Sequence, residues 1–489
     1  MSTSTPQGAR LLLARAAVAS LLLGAMPGCG DESYGSHQRP GSAAPLSSLS
    51  PDEVLDDLHE RTFRFFWETT NPDNGLVPDR WPTPSFSSIA AIGFGLTAYG
   101  IGVERGYISR EDAVLRVLTT LRFFARAPQG PEPEGTTGFH GFFYHFLDME
   151  SGTRFEQVEL STVDTSLLLG GVLFCQSYFD RDNADEAEIR QLADEIYGRV
   201  DWTWAQVRPP AISHGWRPEQ GFLPFDWRGY NEAMLVYILA LGSPTHPVEP
   251  AAWDEWTAFY DMQYLRFFGQ KHLVFPPHFG HQYTHVWVDF RGIQDAFMAE
   301  KHLDYFENSR RATLAQRRYA LENPEGWEEY GRNVWGLSAC DGPANAVLEY
   351  KGELREFRSY SARGPIQFDD GTITPTAAAS SIPFAPEVAI PAVVEMRNRF
   401  GEIIYDQYGF LDAFNPSFEF DDVPLAGGEV VPGFGWVDGD YLGIDQGPIL
   451  AMIENHETEM VWTVMRRNPY IRAGLERAGF TGGWLAEGK

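Results

Sequence analysis

The chain has 489 residues, 43% hydrophobic and 21% charged, which is enough apolar material for one large folded domain or two ordinary ones and excludes disorder over most of the length. Lys and Arg total 38 against 67 Asp and Glu, a formal net charge of -29 that repels phosphate backbones and disfavours nucleic acid or an acidic polysaccharide as partner. A neutral sugar polymer is compatible with that charge.

The first residues read as a targeting segment. Arg10 and Arg15 precede the apolar run Ala16 to Met26, which has signal-peptide length and is too short to span a bilayer stably. Cys29 directly follows Gly28, as in a bacterial lipobox, so residues 1–29 are expected to be a lipoprotein signal ending at a lipidated Cys29. Gly30 to Ser50 is rich in Ser, Pro and Gly and reads as a tether. Residues 51–489 show no composition break and read as a single domain, exported to the periplasm or cell surface. Of the remaining cysteines, Cys175 lies in an apolar run and is expected to be a buried thiol, and two cysteines are too few for a disulfide scaffold.

Ser50-Pro51-Asp52-Glu53 predicts a capped helix start, with Val54, Leu55, Leu58, Phe65 and Phe66 on its apolar face. Residues 71–84 form a Pro/Gly/Asn/Asp loop. Ser87 to Val103 is rich in small residues and predicts a tightly packed inner helix, followed by another from Ser109 to about Arg126. The aromatic runs 142–148 and 154–160 flank Ser151-Gly152 and predict a β-hairpin. Helical patterns follow at 162–178, 184–204, 230–241, 251–268, 290–321, 386–399, 446–456, 458–465 and 469–478. So many helices and so few strands fit a ring of paired inner and outer helices, with long loops gathered over a cleft.

Several clusters carry candidate chemistry. Glu159 and Asp164 flank a strand-to-helix junction, although Ser161-x-x-Asp164 also has the spacing of a helix cap. Trp227-Arg228-Gly229-Tyr230-Asn231-Glu232 puts a carboxylate at the mouth of an apolar helix, where burial raises its pKa and suits a general acid. His281 and His285 have i, i+4 spacing, but Gln282 replaces the Glu of a zinc-protease motif, so sugar recognition suits them and their neighbours Trp287, Asp289 and Arg291 better. His140, Trp216, Asp341, Asp445, Gln446 and Glu454 complete the set of candidate sugar-binding residues. Trp216, Trp227, Tyr230 and Trp287 are expected to offer stacking faces. There is no nucleophile elbow, P-loop or Cys-x-x-Cys pair, and no cofactor or metal is expected.

Taken in order, ELSTVDTSLLLGG, YNEAMLVYILALGSPTHP, HQYTHVWVDFRG, GLSACDGP, GFLDAFNP and YLGIDQGPILAMIENH resemble the bacterial glycoamylase-like domain, over roughly residues 52 to 480. That family includes the family 144 endo-β-1,2-glucanases. The resemblance implies an all-α (α/α)6 barrel, with a small β-hairpin and long loops at the cleft end. It also implies inverting attack on β-1,2-glucan, with the acidic cleft residues falling on Glu159, Asp164 and Glu232. An inverting pair stands about 6.5–9.5 Å apart to admit water. Glu232 is the proposed acid, and Asp164 or Glu159 the base or a sugar-positioning group. The alternatives are a glucosidase or transglycosylase on another linkage, a non-catalytic glycan-binding lipoprotein, and a lyase, which the negative charge makes less attractive.

Overall fold

The structure is a computed structural model that describes residues 49–486; the targeting segment and the Cys29 anchor lie outside the described residues. The helices come in pairs along the chain: α1 (Pro51–Thr69) and α2 (Ile89–Glu104), α3 (Arg110–Arg126) and α4 (Thr162–Tyr178), α5 (Ala184–Gly198) and α6 (Met234–Gly242). The pattern continues with α7 (Ala251–Thr257) and α8 (Tyr283–Trp287), α9 (Tyr305–Glu322) and α10 (Pro375–Ala379), α11 (Pro386–Ile404) and α12 (Gly443–Glu457). The first helix of each pair is outer and the second inner, and the ring closes as an (α/α)6 barrel. Two further helices, α13 (Met460–Met465) and α14 (Pro469–Arg477), follow it.

The sequence dictates which helix goes where. The outer helix α1 buries one stripe, including Val54, Leu55, Leu58, Phe65 and Phe66, and begins with the expected capping box between Ser50 and Glu53. Every residue of α6 and of α8 is buried, so neither has a solvent face to spare. The inner helices α2 and α4 approach until Gly93 and Gly171 meet: a Cβ on Gly171 would stand 2.0 Å from the Gly93 carbonyl oxygen. Cys175 is buried, as its apolar run predicts.

Two expectations need correction. Runs 142–148 and 154–160 do not form one hairpin. Phe146–Leu147 pairs with Ser87–Ser88, and Leu160–Ser161 pairs with Gly215–Arg217; the two runs meet each other through two isolated antiparallel bridges, Tyr144–Leu160 and Leu147–Arg154. A regular hairpin lies instead at Ala346–Tyr350 and Glu353–Phe357. The predicted helix 251–268 stops early, because Tyr264–Phe267 pairs antiparallel with Gln270–Leu273. The short strands matter because they lead into inner helices: Ser87–Ser88 into α2, Leu160–Ser161 into α4, and Tyr441–Leu442, paired with Arg80–Trp81, into α12. The amino ends of the inner helices therefore share one end of the barrel, under the loops.

Candidate active site

At that end, α4 begins with Ser161 as its cap. The Ser161 Oγ accepts from the Asp164 amide at 3.2 Å and donates to Asp164 Oδ2. Ser161 is therefore the cap and the Asp164 carboxylate braces its hydroxyl, while the same Oδ2 stands 3.5 Å from His145 Nε2. His145 Nδ1 donates to Glu159 Oε1 at 3.0 Å, and Arg217 donates to Glu159 Oε2 at 3.1 Å. Burial works against the Glu159 charge, but His145 and Arg217 outweigh it and hold the carboxyl down to about 2. Burial also disfavours the His145 cation, but Asp164, Glu159 and Asp79 overcome it and raise the ring to about 9. Glu159 is thus an ionised carboxylate with both oxygens occupied, tying a charged His145 against Asp164.

Glu232 is the opposite case. Gly229, at φ 76°, turns the chain where its amide donates to the Trp256 carbonyl, and the Asn231 side chain caps the Ala233 amide at 2.9 Å. This sets Glu232 just ahead of α6. It is 4% exposed, and its Oε2 has no hydrogen-bond partner among the described residues. Burial pushes its carboxyl up to about 8, its own backbone amide opposes that, and the charge of Asp164 adds to it. A carboxyl that keeps its proton at neutral pH can donate it.

A third group gathers across the cleft, around the start of α12. Arg80 donates to Asp341 Oδ2 at 2.6 Å and to Asp79 Oδ2 at 3.3 Å. The Asp341 amide donates to Asp412 Oδ2 at 2.8 Å. Burial, with the charges of Asp445 and Asp341, pushes the Asp412 carboxyl well up, and burial brings Asp445 to about 7. Fully buried Arg363 fixes this floor, bonding Asp370 through Nε at 2.7 Å and the Cys340 carbonyl through Nη1 at 2.7 Å. Tyr283, at the head of α8, links the groups: burial raises its hydroxyl, and the charges of Asp445 and Glu232 both act on it.

Glu159, Asp164, Glu232, Asp341 and Asp445 therefore meet at one end of the barrel. Trp216 also sits there, part-exposed in the strand paired to Leu160, against Phe139 and Trp204. His140 stacks on Trp204 at 4.5 Å. The other stacking candidates are corrected. Trp227, Tyr230 and Trp287 are buried: Trp227 donates to Thr162, Tyr230 contacts His281, and Trp287 donates to Thr97 and stacks on Phe94. His281 and His285 are core histidines, bonded to the Phe275 carbonyl and Ser309, and Gln446 is buried on the Phe410 carbonyl. Asp289 and Arg291 follow the carboxyl end of α8, and with Arg466 and Glu459 they form an ion network there. Glu454, near the carboxyl end of α12, pairs with His59 and Arg105. These groups brace the end opposite the cleft.

The sequence reading missed Asp79, Arg80, His145, Arg217, Tyr283, Asp412 and Asp438. A signal existed: Asp79-Arg80 sits in the loop 71–84, Asp412 in GFLDAFNP, and Asp438-Gly439-Asp440 just before YLGIDQG.

Comparison with known proteins agrees with this architecture. Residues 224–469, half of the chain, match the Glycoamylase family model, described as "Putative glucoamylase". An exo β-1,2-glucooligosaccharide sophorohydrolase (non-reducing end) from Parabacteroides distasonis is 27% identical over 467 residues, which cover 89% of this chain; the chain spans 59% of that relative's length. The endo-β-1,2-glucanase of Chitinophaga pinensis, solved with sophorotriose and glucose, superposes with a TM-score of 0.76 at 29% identity, covering 89% of this chain and all of that one. A Bacteroides uniformis structure sharing the family model's description gives a TM-score of 0.77 at 30% identity, over 89% of this chain and 99% of that one. In sequence and in fold, the chain belongs to the glycoamylase-like family.

Proposed function

We propose that the chain is a glycoside hydrolase that cleaves β-1,2-glucan with inversion, using Glu232 as general acid. The observation that carries this is a buried carboxyl at the cleft, raised to about 8 and set near the Asp164 charge. Such a group protonates a leaving glycosidic oxygen, while a second carboxylate activates water on the other face of the sugar. Glu159 is ill suited to be that base, since His145 and Arg217 hold both its oxygens. Asp164 takes the role, with Glu159 and His145 fixing its position. The glucan assignment draws on relatives named for β-1,2-glucan hydrolysis.

A product screen on β-1,2-, β-1,3-, β-1,4- and α-linked glucans tests the proposal, with the anomer of the first product read by NMR. Cleavage confined to β-1,2-glucan with inverted product is expected, and turnover of another linkage alone would refute it. We favour endo action, which releases a ladder of oligosaccharides. The name of the curated relative favours a second reading, exo release, in which sophorose is the product from the first minutes.

We also propose that the protein is exported and held to a bacterial membrane by lipid on Cys29. Cys29→Ser is then expected to move it from the membrane to the soluble fraction. Wild type fully soluble after export would overturn the anchor.

A further inference from the structure

We propose that Asp341, Asp412 and Asp438 form a binding site for one hard divalent cation, with calcium as the test ion, in the floor of the cleft. One carboxylate oxygen from each residue lies within 4.8 Å of the others. Oxygens bonded to a single calcium at about 2.4 Å stand at most about 4.8 Å apart, so the spacing is compatible with one ion bridging all three. The donors are carboxylates only, which selects a hard cation over zinc or copper. The nearby Cys340 thiol is no donor, because its Sγ faces Arg363 Nη1 at 3.3 Å.

A second observation points to a ligand. Asp438 is 3% exposed, and its Oδ1 accepts from the Gly439 amide at 2.7 Å. Its Oδ2 is sealed from solvent and accepts no hydrogen bond among the described residues. A buried carboxyl oxygen left without a partner costs free energy, which a bound cation would offset. Protein cations nearby are already committed. Arg80 is bonded to Asp79 and Asp341, and Arg363 to Asp370.

The backbone presets the three ligands. The Asp438 amide donates to the Ala413 carbonyl at 2.9 Å, the Asp412 amide to the Asp440 carbonyl at 2.9 Å, and the Asp341 amide to Asp412 itself. Such a site needs little reorganisation to accept an ion, and it leaves outer coordination positions to water or sugar hydroxyls. The inference stands on this geometry and does not require the glucan assignment.

The test is calorimetric titration of calcium chloride into full-length protein stripped with EDTA, alongside thermal melting with and without calcium. One calcium per chain and a calcium-dependent rise in Tm are expected for wild type. Asp438→Asn should weaken binding at least tenfold and abolish the rise, while Glu387→Gln, which alters an exposed pair with Arg310, should leave both unchanged. Wild type that binds no calcium would overturn the proposal, whatever the variants do. So would a folded Asp438→Asn protein that binds like wild type.

Discussion

Glu159 and Glu232 are the same residue type at one cleft, and their surroundings drive them apart. Glu159 is held to about 2 by His145 and Arg217 against its burial, whereas Glu232 is raised by burial to about 8. Glu232→Gln keeps the shape and removes the transferable proton. It is expected to lower kcat on the identified glucan by about 10²–10⁴-fold with substrate binding retained. Near wild-type turnover would exclude Glu232 as the acid. The same burial yields a prediction free of activity. The folded value stands above the ordinary 4.5, so the native state holds the proton more tightly than the unfolded chain does. Its contribution to stability is therefore complete below about pH 4.5 and is lost as pH rises through about 8. Glu232→Gln never ionises, so its Tm should gain on wild type between pH 5 and pH 9. A gap that stays constant over that range would show that Glu232 does not titrate as a buried group.

The packing of α2 against α4 explains why their sequences are so rich in glycine. A Cβ on Gly93 would lie 2.1 Å from the Leu167 carbonyl oxygen, and one on Gly171 would meet Gly93 backbone. Backbone cannot swing aside as a side-chain tip can. Gly171→Ala should therefore cost at least about 1–3 kcal/mol in chemical denaturation, while Gly198→Ala, whose added Cβ would meet only a Thr245 methyl at 3.8 Å, should be nearly neutral. Equal stabilities for the two variants would mean that the helices can slide apart. This pair of helices was legible from sequence because an inner helix must be small or apolar on every side, over many residues. The helices α8 and α10 were not, since each has five residues and no room for a period to show. The hairpin was misplaced for another reason: aromatic runs announce strands but not their partners, and Ser87–Ser88 and Gly215–Arg217 lie far away in sequence.

At the scale of the barrel, position along an inner helix decides role. Asp164, Glu232 and Asp445 lie at amino ends and reach the cleft; Asp289 and Glu454 lie at carboxyl ends and bind arginines. Composition near a motif does not carry that distinction, which is why Trp227, Tyr230 and Trp287 read as sugar platforms and are core. It also explains how Asp412 and Asp438 escaped notice: isolated loop aspartates acquire meaning only when the ring closes and sets them beside Asp341. The closed ring concentrates Asp79, Asp164, Asp341, Asp412, Asp438 and Asp445 at one mouth, on a chain of net charge -29. Such a field repels anions as they approach, and salt screens it, with a Debye length near 10 Å at 0.1 M and about 3 Å at 1 M. A β-1,2-glucan carrying anionic substituents should therefore be cleaved with lower kcat/KM than the unsubstituted polymer at low salt. The deficit should shrink, without vanishing, as salt rises, because the outer part of the approach is screened and the desolvated floor is not. Kinetics on matched neutral and anionic glucans across that salt range decide it. A deficit indifferent to salt would assign the discrimination to steric fit in the cleft, and faster cleavage of the anionic glucan would show that Arg80, Arg217 and His145 dominate the field the substrate meets.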